Sequence, residues 1–154
     1  MKPNYLTILI TTLCIFFNAC HNSNTAPQLQ LADSLIDKRA DSALCILEKL
    51  SIEEISNKSA KAMYALLLTE ALDKNFKSHR NDSLILIAVD YYKDNSNNKL
   101  KTKAYYYLGR VYQDNKEYIK ATEAYLTALK TASPTQAPIL QNYIEKSSFS
   151  TPAQ

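Results

Sequence analysis

Residues 102–135 read TKAYYYLGRVYQDNKEYIKATEAYLTALKTASPT. Tyr105, Leu108 and Tyr112 recur at intervals of three and four, so they share one face of a helix expected from about Lys101 to Gln113. Asp114-Asn115-Lys116 is a polar link that makes a tight turn. A second helix is expected from about Glu117 to Ala132, carrying Ala121, Tyr125 and Ala128 at helical spacing. Ser133-Pro134 closes it, because the residue before a proline is driven out of the helical region. The stretch therefore reads as two helices folded back on each other.

Composition extends that reading to the whole chain. Among 154 residues there is one glycine, no tryptophan and eleven tyrosines. Average usage would supply about ten glycines at this length. Hairpin-rich β folds, phosphate loops and dinucleotide fingerprints need several glycines for positive φ or close backbone approach, and are excluded. The charge balance of 18 Lys and Arg against 15 Asp and Glu lacks the basic excess of a nucleic-acid binder.

Working outward, further helical segments precede the pair. Leu31, Leu35 and Ile36 give a short stripe. Asp41-Ser42 is expected to cap a helix buried through Ala43, Leu44, Ile46, Leu47 and Leu50. Ser51 to Glu54 resembles a capping box opening a short turn. Ser59–Leu72 is apolar on nearly all sides, so it needs neighbours on more than one side. Asp82-Ser83 is expected to cap Leu84–Tyr92, and a weaker helix is expected from Ala137 to Lys146. Helix pairs of this kind bury their faces only by stacking, the logic of an α-solenoid.

Tyr105-x2-Leu108-Gly109-x2-Tyr112, then Ala121-x3-Tyr125-x2-Ala128, then Pro134, closely resembles the tetratricopeptide repeat. Tyrosines stand for its usual tryptophan and phenylalanine. The resemblance implies an all-α fold of stacked antiparallel helix pairs over residues 31–135. Gly109 and Ala121 would be small where two helices cross, and Ala128 would let the next pair approach. Leu68-Thr69 aligns with Leu108-Gly109 at an offset of 40, with extra residues in the Asp73–Asn81 link. Residues 136–154 would be a capping helix and a disordered tail. In this family the first helices of successive pairs line a concave groove that holds peptides. That places Lys103, Tyr106, Arg110 and Gln113 on the groove, with Met63, Leu66 and Glu70 as counterparts on the preceding pair.

The N-terminus carries an address. Lys2 precedes the uncharged run Leu6–Phe17, which at 12 residues is too short to span a bilayer and has the shape of a secretory signal. Ala19-Cys20 directly after it resembles the lipobox of bacterial lipoproteins, although Phe17 and Asn18 replace the usual leucine and small residue. The resemblance implies a signal peptide over 1–19, lipidation of Cys20, and display of the chain in the cell envelope, as in tetratricopeptide lipoproteins of Bacteroidetes-type bacteria. Residues 20–30 read as a flexible tether. Cys45, between Leu44 and Ile46, reads as a small buried apolar residue.

Catalysis finds little support. His21 and His79 have no cysteine or acid at metal-ligand spacing, and no serine or cysteine sits in a glycine-rich elbow. No cofactor or metal is expected. The expected function is a non-catalytic scaffold for a protein or peptide partner, held at a membrane by its lipid. The alternative is an N-terminal fragment or sensor module of a larger tetratricopeptide-containing signal-transduction or transcriptional regulator.

Overall fold

The computed structural model describes residues 25–79 and 81–149. The expected signal peptide over 1–19, the expected lipidation site Cys20 and the last five residues lie outside them. Among the described residues the chain is all-α: α1 (Thr25–Leu35), α2 (Ala40–Leu47), α3 (Lys58–Lys74), α4 (Ser83–Tyr92), α5 (Asn98–Asp114), α6 (Tyr118–Leu129) and α7 (Ala137–Phe149). None of them is long and apolar enough to cross a membrane.

Each helix packs on the next, and the odd-numbered α1, α3 and α5 also pack side by side. Thr102, near the start of α5, bonds Thr131 just beyond α6 at 2.8 Å, so the two run antiparallel. Three apolar clusters follow one another along the molecule. The first joins Leu29, Ala32 and Ile36 to Leu44, Leu47 and Leu67. The second sets Ala62, Ala65 and Leu66 against Ile85, Val89, Tyr107 and Val111. The third seats Leu140 and Ile144 of α7 on Ala121, Tyr125 and Ala128. α3 contributes to two clusters, which is why its sequence is apolar on nearly all sides.

The crossing of α5 and α6 depends on Gly109. A Cβ there would stand 2.3 Å from Cε1 of Tyr125, whose ring is fully buried. Gly109 is thus the point where the Tyr125 ring lies directly on a helix backbone.

α3 and α5 end alike. Lys77 N–H bonds the Leu72 carbonyl and Phe76 N–H that of Asp73, with Phe76 at φ 56°. Glu117 N–H bonds the Tyr112 carbonyl and Lys116 N–H that of Gln113, with Lys116 at φ 62°. Both are Schellman closures whose left-handed position normally takes glycine. Phe76 and Lys116 are 40 residues apart, the same offset that aligns Thr69 with Gly109. At the glycine-equivalent place, Thr69 is buried and its hydroxyl donates to the Ala65 carbonyl one turn back.

Several expectations are corrected. Residues 25–30, read as tether, are the first half of α1, since Leu29 and Ala32 bury against the rest. The Asp41-Ser42 cap is absent: α2 starts at Ala40 with Arg39 at its N-cap, and Asp41 sits in the first turn. Asp82 holds the N-cap position of α4 without a side-chain bond to the first-turn N–H groups, and Asn81 accepts from Ser83 N–H instead. α6 ends at Leu129 because the following N–H groups of Thr131 and Ala132 tighten to bonds three residues back. α7 continues to Phe149, into the expected tail. Cys45 is exposed, on the side of α2 away from the buried Ala43, Leu44 and Leu47.

Candidate functional site

The odd helices form one wall of the molecule, and a groove of about 570 Å³ runs across it. Asp33 of α1 and Asp37 lie at one end, Glu70 and Lys74 of α3 follow, and Lys99, Lys103, Tyr106 and Tyr107 of α5 come next. Gln136 and Ile139 close the other end, with Ile139 57% exposed.

The floor is a charge ladder. Glu70 is 2% exposed, an arrangement that costs several kcal/mol unless the carboxylate is paired. Lys74 Nζ lies 3.5 Å from its Oε1, and Lys103 Nζ pairs with Oε2 as a close ion contact outside hydrogen-bond geometry. Lys74 also donates to Asp37, so cation and anion alternate from α1 across α3 to α5. That hydrogen bond holds the Asp37 carboxyl below its ordinary value. Burial, reinforced by Glu70, pushes the Tyr107 hydroxyl far up. Tyr107 is therefore a neutral hydroxyl beside Glu70.

Tyrosines form the upper end. Tyr106 meets Tyr143 and Tyr107 edge-on, at 5.3 and 4.8 Å between centroids, and Tyr125 in a tilted arrangement at 6.0 Å. Burial, and then hydrogen bonding to Tyr143, raises the Tyr106 hydroxyl well above the phenol range. Arg110 sits 5.4 Å from the Tyr143 ring centre, donates from Nε to Asp73 Oδ1 at 2.8 Å, and reaches Gln113 Oε1. Burial opposes its charge, but Asp73 overrides this and raises its pKa. Gln113 Oε1 also accepts from the Tyr125 hydroxyl at 2.9 Å.

Of the seven residues expected on the groove, Glu70, Lys103 and Tyr106 line it together. Arg110 and Gln113 lie further along α5, where they join α5 to α3 and α6 through Asp73 and Tyr125. Leu66 is fully buried in the middle cluster, and Met63 packs against the first. Both lose the groove because α3 is sandwiched between neighbours along its N-terminal half. The sequence reading missed Asp37, Lys74, Lys99 and Ile139. None of the four stood out in the sequence as a groove residue.

His79 has no acid at metal-ligand spacing in the sequence, but the fold brings one beside it. His79 is 5% exposed, and its Nδ1 lies 2.8 Å from Asp114 Oδ2. No family model, curated protein or solved structure matches the chain.

Proposed function

We propose that the chain is a lipid-anchored, non-catalytic scaffold whose tetratricopeptide-like solenoid holds an extended segment of a partner protein in the groove of α1, α3, α5 and α7. The groove itself carries the proposal. It is continuous over four helices, its floor alternates in charge, and it ends on an exposed isoleucine. An extended peptide offers matching chemistry: backbone donors and acceptors for the charged floor, and apolar side chains for Ile139 and the Tyr106 edge. The repeated Schellman ends, 40 residues apart, support successive copies of one helical unit. The lipid at Cys20 rests on the lipobox resemblance, and Cys20→Ser should release the protein from membranes.

The test uses residues that pack on nothing essential. Lys99 and Ile139 are exposed on the groove wall, so Lys99→Glu with Ile139→Glu leaves the core intact. Peptides selected from a displayed random library on the unsubstituted protein should bind the double variant at least tenfold more weakly, at unchanged helicity. Equal binding would place the peptide site elsewhere.

A further inference from the structure

We propose that Asp73, His79 and Asp114 form a binding site for one divalent first-row transition cation, with Zn2+ as the natural probe. The three come from separate elements: the last turn of α3, the link before α4 and the last residue of α5. One ligand atom from each lies within 4.8 Å of the others. Around a four-coordinate zinc with bonds of about 2.0–2.2 Å, ligand atoms stand roughly 3.3–3.6 Å apart. The 2.8 Å separation of His79 Nδ1 and Asp114 Oδ2 opens slightly, and the longest edge closes by about an ångström, within reach of small side-chain rotations.

The surroundings fix the ligands as metal sites require. His79 Nε2 lies 3.1 Å from the Thr69 carbonyl, which can only accept, so Nε2 carries the hydrogen and Nδ1 is the ligating nitrogen. Asp73 is held through Oδ1 by Arg110 Nε, leaving it further lone pairs for a metal. Nδ1 and Asp114 Oδ2 face each other at 2.8 Å, and the cation would sit between them, displacing any proton held there to solvent. Two carboxylates and a neutral imidazole then carry a charge of minus two toward the ion, with the Arg110 charge already engaged by Asp73.

Three protein ligands leave positions for water. A cavity of about 320 Å³ beside Asp73, Arg110 and Asp114, rimmed by Phe76, Lys77 and Ser78, gives entry and room for it. An imidazole with two carboxylates selects against calcium and magnesium, which take six or more oxygens. The cation would fasten the α3–α4 link to the ends of two neighbouring odd helices.

Zn2+ titration of the full-length protein by calorimetry should show one site. His79→Gln and Asp114→Asn should each weaken it at least tenfold, while His21→Asn, next to Cys20, leaves it unchanged. In the unsubstituted protein, Zn2+ should shift the His79 ring resonances, a reading that needs no variant to fold. Unchanged affinity in Asp114→Asn, unmoved His79 resonances, or no binding at tenfold excess Zn2+ would overturn the site.

Discussion

Gly109→Ala separates two opposed effects at the α5–α6 crossing. Replacing a helix-interior glycine by alanine ordinarily stabilises by about 1 kcal/mol. Here the new Cβ would lie 2.3, 2.5 and 2.8 Å from three ring carbons of Tyr125. Carbon atoms sit comfortably at about 3.5–4.0 Å, so the ring must retreat by more than an ångström. It is fully buried, hydrogen-bonded to Gln113 and stacked at 5.6 Å on Tyr143, so retreat disturbs α5, α6 and α7 together. Overpacking of this kind costs about 2–3 kcal/mol, so the net expectation is a loss of about 1–2 kcal/mol, or roughly 2–8 °C in Tm. Urea and thermal unfolding followed by far-ultraviolet dichroism measure it. In a Tyr125→Leu background the flat ring is gone, and the same substitution should cost nothing or stabilise, a coupling that a double-mutant cycle reads directly. A rise in stability on Gly109→Ala in the unsubstituted protein would refute the crossing.

Other expectations follow from single observations. Lys116 at φ 62° pays for a left-handed backbone without being glycine, so Lys116→Gly should raise the urea midpoint by an amount worth about 0.5–1 kcal/mol. The Asp37 carboxyl, hydrogen-bonded by Lys74, should titrate below 3.8 by NMR and return to the ordinary range in Lys74→Met. Because the folded value is depressed, its contribution is in place above the unfolded value and is lost as pH falls through the folded one. An unmoved Asp37 midpoint in Lys74→Met would discount the ladder. Exposed Cys45 should react with a maleimide in the native protein, and labelling only after denaturation would contradict its position on α2.

The helices were legible wherever apolar residues repeat on one face. α3, α5 and α6 announce themselves, and the solitary glycine marks the crossing of α5 with α6. α1 hides because its first half has no internal period; Leu29 and Ala32 acquire meaning only from α3 and α2 beside them. The Asp-Ser pairs carry the chemistry of a cap, yet Asn57 and Asn97 are the side chains that bond first-turn N–H groups in α3 and α5. Cys45 was misread because apolar neighbours in sequence point elsewhere at about 100° per residue. At the groove, helical spacing set Lys103 and Tyr106 on one face of α5, and the tetratricopeptide resemblance implied that this face and Glu70 line a groove. Lys74 with Asp37, and His79 with Asp114, could not be placed so, since 37 and 35 residues separate the partners and only helix stacking brings them together.

The central claim is that a partner lies along the odd helices, at the end where Ile139 is exposed. Ile139 and Ile119 are both exposed, at 57% and 65%, but Ile119 lies on α6 away from the groove. A photo-crosslinking amino acid placed at each position in turn, in the protein within its own cells, tests the claim most directly. The account predicts a discrete adduct from position 139, mapped by mass spectrometry to one short segment of the partner, and none from position 119. Adducts from position 119 with none from 139 would contradict it.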